Sequence, residues 1–182
     1  MELVPHSGKT SNTAPIERRS FLRGRFKKPK ETVKIRPPWT DEARIAEACT
    51  ACGDCVRACP EGIIVRSENA TPEVDFSAGE CSFCGACADA CQEPVFWERQ
   101  ALPWELSLAI TETCLVKKGV YCRSCGDACA ERAITFQPKI GGEAEIEFVQ
   151  SNCTGCGACV STCPVNATSL SPTTLIQGGG VG

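Results

Sequence analysis

The chain contains one histidine, His6, and it stands in a polar N-terminal stretch with no periodic pattern. A lone imidazole in such a setting is solvated, so His6 is given no role. No apolar run approaches the ~18 residues of a membrane-spanning helix, which leaves a chain with no expected span. A phosphate-binding glycine loop after a strand, a dinucleotide-binding fingerprint and a nucleophile–base pair are all missing, so the sequence indicates no enzyme. The whole-chain charge is also small, at -3.

Cysteine is abundant instead, and none is left unpaired by pattern. All sixteen fall into four quartets: Cys49, Cys52, Cys55, Cys59; Cys81, Cys84, Cys87, Cys91; Cys114, Cys122, Cys125, Cys129; and Cys153, Cys156, Cys159, Cys163. The last reads C-x2-C-x2-C-x3-C-P, ending at Pro164. A disulfide scaffold has no reason to repeat that rhythm, and zinc ribbons set their two C-x2-C pairs about 15 to 20 residues apart. The spacing is that of a [4Fe-4S] ligand run, in which three close thiolates hold one cluster and the fourth reaches to a neighbour. Two-residue gaps curl the chain around one corner of a cube, and Gly155 and Gly157 permit the close approach. Four [4Fe-4S] clusters are expected. Their fourth cysteines should be exchanged within each pair of quartets, Cys59 with Cys91 and Cys129 with Cys163.

Each pair of quartets occupies about the length of a small two-cluster ferredoxin. The fold class is therefore α+β: two tandem bacterial-ferredoxin-like modules, small hairpins and short helices around clusters, with a basic N-terminal arm. The boundaries are 1–36 for a disordered and basic segment, 37–101 and 102–172 for the modules, and 173–182 for a flexible tail. A helix is expected from Asp41 to Ala48 with Thr40 as its N-cap. Hairpins are expected from Gly62–Val65 with Glu73–Phe76, and from Ala133–Phe136 with Glu145–Phe148 across a Gly141-Gly142 turn. Trp104, Leu106, Leu108 and Ile110 alternate with polar or small residues as in a strand with one buried face. Segments this short have marginal apolar cores, so metal must supply much of the fold.

Charge is divided sharply. From Arg18 to Arg36 there are nine basic residues and one acid, whereas residues 37–182 hold nine basic and nineteen acidic ones. Arg18-Arg19-Ser20-Phe21-Leu22-Arg23-Gly24-Arg25 looks like the core of a twin-arginine export signal, yet the apolar region of about 7 to 15 residues that should follow is replaced by Phe26-Lys27-Lys28-Pro29-Lys30. Export is therefore rejected and the cytoplasm is the expected compartment. The arm reads either as a solvated tail or as a docking segment in which Arg18, Arg19, Phe21, Leu22, Arg23 and Arg25 meet an acidic partner. Nucleic acid is disfavoured by the acidic body. Quartet three is irregular: seven residues, Leu115 to Tyr121, separate Cys114 from Cys122 where the other quartets have two. That insertion reads first as a harmless surface loop, and otherwise as the mark of a cluster with altered exposure or of a less firmly held cluster in which Cys114 is not a ligand.

With these residues in view, the chain resembles the NapF family of ferredoxin-type accessory proteins of the periplasmic nitrate reductase system. The resemblance rests on the arginine pair with Phe21-Leu22-Arg23-Gly24-Arg25, on Ile35-Arg36-Pro37-Pro38-Trp39, on Glu80-Cys81-Ser82-Phe83-Cys84, on the long third gap before Cys122-Arg123, and on Gly155-Cys156-Gly157-Ala158-Cys159. It implies a cytoplasmic iron–sulfur protein that meets the nitrate reductase catalytic subunit before export and helps mature it, with other redox proteins as further partners. The residues alone leave two classes open, an assembly factor that delivers electrons or a cluster, and an electron-transfer subunit of a larger oxidoreductase.

Overall fold

Each quartet feeds a helix of barely more than one turn, and those turns set the plan of the computed structural model, which describes residues 34–139 and 144–173. After an entry helix, α1 (Glu42–Ala48), come α2 (Asp54–Ala58), α3 (Ala86–Asp89), α4 (Ser124–Asp127) and α5 (Ala158–Ser161), each carrying the third cysteine of its quartet. Helices this short do not persist alone, because nucleation costs more than four or five residues return. Their surroundings hold them. The segment 1–36 expected to be disordered is corrected at its end, where Ile35 and Arg36 are buried because their side chains pack on the body. Residues 1–33 of that segment, with Arg18, Arg19, Phe21, Leu22, Arg23 and Arg25, lie outside the described residues, as do the Gly141-Gly142 turn and residues 174–182.

Three two-stranded antiparallel ladders accompany the helices. β1 (Ile64–Arg66) pairs with β2 (Pro72–Val74) in the register Ile64 to Val74, and β4 (Ile134–Pro138) pairs with β5 (Ala144–Phe148) with Phe136 opposite Ile146. These are the two expected hairpins. A third ladder joins β3 (Leu106–Ile110) to β6 (Thr168–Pro172), placing Leu108 opposite Leu170. The alternation from Trp104 to Ile110 does form a strand, with Leu106 and Leu108 buried. Its partner is the last described strand, which ties the linker to the far end of the chain. Two-stranded ladders are marginal in isolation, and here they share one apolar core in which Ile63, Ile64, Phe76, Leu106, Leu108, Ile134 and Leu170 pack with Cys55, Cys87, Cys125 and Cys159.

The Pro37-Pro38-Trp39 entry is buried. The Trp39 N–H donates to Pro103 O at 2.7 Å, Trp97 N–H donates to Trp39 O at 2.8 Å, and the indole Nε1 reaches Ala101 O at 3.2 Å. Arg36 is buried beside it and donates to Pro72 O at 2.8 Å, Thr71 Oγ1 at 3.0 Å and Glu42 Oε1 at 2.8 Å. One guanidinium thus fastens the entry segment to α1 and to β2, a use of planar forked donors that a lysine lacks. The N-cap expected at Thr40 is corrected to Asp41, whose carboxylate accepts from Arg44 N–H at 2.9 Å. Thr40 is committed elsewhere, its buried hydroxyl donating to Val95 O at 2.8 Å. No helix among the described residues is long and apolar enough to cross a membrane.

Candidate metal centres

The thiols gather into four sets, and each takes one member from the other quartet of its pair. Cys55 feels the charges of Cys49, Cys91 and Cys52. Cys87 feels Cys81 and Cys59 of its own set and Cys55 of the first, and Cys81 faces Cys59 and Cys84. Cys125 is surrounded by Cys114, Cys122 and Cys163. Cys159 faces Cys156 and Cys153, with Cys125 and Cys129 also close, and Cys153 likewise feels Cys156 and Cys129. The clefts agree: Cys91 lines one with Cys49, Cys52 and Cys55, Cys59 one with Cys81, Cys84 and Cys87, and Cys129 one with Cys153, Cys156 and Cys159, while Cys163 packs with Cys114 and Cys122. Cys114 is buried within the third set despite the long gap that follows it.

These thiols are costly to ionise without metal. Burial pushes Cys55, Cys81 and Cys125 up to about 11, and Cys87 and Cys159 up to about 12, with the charges of neighbouring thiolates adding to the rise. Such crowding of acceptor-only thiolates fits a polynuclear cation, whose charge stabilises the deprotonated form. Among the described residues no three His, Cys, Asp or Glu side chains close on a point as the ligands of a single ion do. Thiolates on different irons of a cube stand apart instead. Cys163 departs from the others: burial raises it, but the backbone N–H groups of Ala167 and Val165, together with Thr168, outweigh that and hold it below its ordinary value.

Backbone conformation explains how the sequence builds these sets locally. The residue before the second cysteine is left-handed in three quartets, at Ala51 (φ 56), Phe83 (φ 53) and Gly155 (φ 76). A further left-handed residue follows, at Gly53, Gly85 and Gly157, where the short helix begins. Glycine at 157 is needed twice over, since φ is 90° and a Cβ would overlap the Phe76 ring. Quartet three lacks this turn, with Arg123 at φ -132 in the corresponding place. Beyond the fourth cysteine the chain turns left-handed again at Gly62, Arg132 and Asn166. This aims the next N–H back at the sulfur: Ala133 N–H reaches Cys129 Sγ at 3.2 Å and Ala167 N–H reaches Cys163 Sγ at 3.1 Å. Hydrogen bonds of this kind tune the potential of a bound cluster.

Some contributors escape a reading by motif. The residue four places after each final cysteine, Ile63, Val95, Ala133 or Ala167, is almost wholly buried. That repeat is present in the sequence as a small or apolar side chain at a constant offset. Trp104 has no such signal. Its ring meets Phe83 and Phe76 edge-on, both with centroids at 5.8 Å, and its Nε1 donates to Thr154 O at 3.1 Å. It therefore braces the second and fourth quartets together.

Comparison with known proteins agrees with the chemistry of these sets. A 4Fe-4S dicluster domain model matches residues 48–95 and 120–167. The ferredoxin-type protein NapF of Haemophilus influenzae is 45% identical over 164 residues, covering 85% of this chain and 93% of that one. NapF of Escherichia coli is 42% identical over 151 residues, covering 82% and 91%. A ferredoxin-type protein NapG of Haemophilus influenzae is 31% identical over 177 residues, covering 82% of this chain and 62% of its own length.

Proposed function

The chain belongs to the ferredoxin-type NapF family, and from that premise we propose that it is a cytoplasmic four-cluster accessory protein in maturation of the periplasmic nitrate reductase catalytic subunit before export. In this reading the ligand sets are Cys49, Cys52, Cys55, Cys91; Cys81, Cys84, Cys87, Cys59; Cys114, Cys122, Cys125, Cys163; and Cys153, Cys156, Cys159, Cys129. When bound, the clusters supply one-electron chemistry. The chain's own residues hold thiolates in place, direct Ala133 and Ala167 N–H groups at sulfur, and pack apolar side chains between the sets. The arm, through Arg18, Arg19, Phe21, Leu22, Arg23 and Arg25, would engage an acidic client, because guanidinium forks bind carboxylates and the acidic body offers few.

What supports the iron–sulfur reading is the gathering of Cys91 with the first quartet and Cys59 with the second, the arrangement that the ligand logic of two-cluster ferredoxins requires. A specific feature favours the second reading, an electron-transfer subunit of a larger oxidoreductase: Cys55 adjoins Cys87, Cys81 adjoins Cys156, and Cys125 adjoins Cys159, so the four sets are contiguous. Anaerobic pull-down with the intact chain and with residues 1–30 deleted separates the readings. The accessory role expects capture of the catalytic subunit before export, weakened by the deletion. A stable complex with other redox subunits, indifferent to the arm, would favour the electron-transfer subunit.

A further inference from the structure

The insertion in quartet three is built as a fixed projection. Val116 of its 3-10 turn (Val116–Lys118) is buried, Lys118 N–H donates to Cys114 O at 3.2 Å, Gly119 turns left-handed at φ 73, and Val120 N–H donates back to Leu115 O at 2.8 Å. Lys117 Nζ secures the base, bonding Ile110 O at 3.0 Å and Glu112 Oε1 at 2.7 Å. What this framework presents is apolar. Val120 is 49% exposed and Tyr121 85% exposed, beside a cleft of about 160 Å³ lined by Val116, Phe136, Pro138 and Ala144.

Holding a cysteine set does not require the insertion, since three quartets manage with two residues at the same place. A loop of no consequence would put polar residues at its tip, whereas an aromatic held on a rigid loop loses little entropy on binding. Charge on the loop is locally basic: Lys117 pairs with Glu112 and Arg123 with Asp127 at its two ends, while Lys118 is exposed. Between Cys114 and Gly126 lie Lys117, Lys118 and Arg123 and no acid, although residues 37–182 hold nine basic and nineteen acidic residues. The position is terminal as well. Cys125 of the third set adjoins the fourth set, while the first set meets the second at the other end of the contiguous series.

We propose that the loop Leu115–Tyr121 is a second docking surface, which receives an acidic protein surface with Tyr121 and Val120 as its apolar anchor and Lys118 and Arg123 as its charged rim. The occupant is the client of the proposed function, so this inference rests on that reading. A second copy of the chain is disfavoured by the acidic excess that two copies would bring together.

The test uses the full-length, cluster-loaded protein and the purified catalytic subunit of the periplasmic nitrate reductase as probe. Tyr121→Ser is expected to weaken binding about tenfold or more, as truncation of a central aromatic anchor does. Lys118→Glu should weaken it too, more at low salt than at high. Iron content and visible absorption report that each variant is loaded, and the exposed Lys118→Glu keeps the test open if Tyr121→Ser loads poorly. Loaded variants that bind as tightly as the parent overturn the loop surface while leaving the proposed function standing. A parent protein that does not bind the subunit at all overturns the proposed function, and the loop inference falls with it. Concentration-dependent self-association abolished by Tyr121→Ser assigns the loop to a second copy and overturns the proposal.

Discussion

The backbone N–H of Cys81 donates to the carbonyl oxygen of Cys156 at 2.7 Å. The second and fourth quartets are therefore joined directly, backbone to backbone, and Cys156 contributes to the charge around the Cys81 thiol. The consequence is an order of sets that differs from their order in the chain: first, second, fourth, third.

Exchange of the fourth cysteines has a genetic signature. Cys59→Ala and Cys84→Ala belong to one set, so the double variant should lose no more iron than either single variant. Cys59→Ala combined with Cys52→Ala should lose about twice as much, because two clusters are then touched. Iron assays with anaerobic EPR decide the matter, and the opposite pattern would return Cys59 to its own quartet.

Replacement of Gly157 tests the packing between quartets. Alanine at this left-handed position costs roughly 1–2 kcal/mol of backbone strain, and displacement of the Phe76 ring adds on the order of 1–3 kcal/mol. Gly157→Ala should accelerate loss of visible absorption on heating, whereas alanine at Gly119, where a Cβ meets nothing within 4 Å, should cost only the strain. Equal rates for the two variants would deny the Phe76 contact any weight.

Iron removal should abolish cooperative folding. Short helices and two-stranded ladders depend on the sets they surround, and metal-ligand free energy is folding free energy where no preformed site survives unfolding. Circular dichroism after anaerobic chelation is expected to show loss of native secondary structure without a sharp thermal transition. A metal-free protein that melts sharply would contradict this.

Loading with iron should proceed further as pH rises. Buried thiols lie at about 11 for Cys55 and about 12 for Cys87 and Cys159, above their ordinary 9.0. The native arrangement of thiols thus binds protons more tightly than the unfolded chain, an advantage complete below pH 9 and lost as pH rises through 11 to 12, and too small to fold the chain without metal. Iron competes with those protons, so reconstitution should release them and proceed further at pH 8.5 than at pH 6.5. A pH-stat during anaerobic loading measures the release, and no proton uptake into base would refute the competition.

The quartets, their short helices and the two hairpins could be read in advance because each depends on residues close together in the chain. A two-residue gap between ligands, a left-handed Gly155 and alternating residues such as Glu145-Ile146-Glu147-Phe148 constrain dihedrals within a few positions. Thr40 does not cap α1 because its hydroxyl is drawn to Val95 O, 55 residues away, while the adjacent Asp41 does the capping. The same physics governs what the sequence alone left open. Pairing of β3 with β6, the approach of Cys81 to Cys156 and the seating of Trp104 between Phe76 and Phe83 depend on which apolar faces remain uncovered once the local units exist. Local chain geometry determined the thiol spacing within each quartet; only burial of shared apolar surface, which has no period in the sequence, decided how the four sets lie against one another.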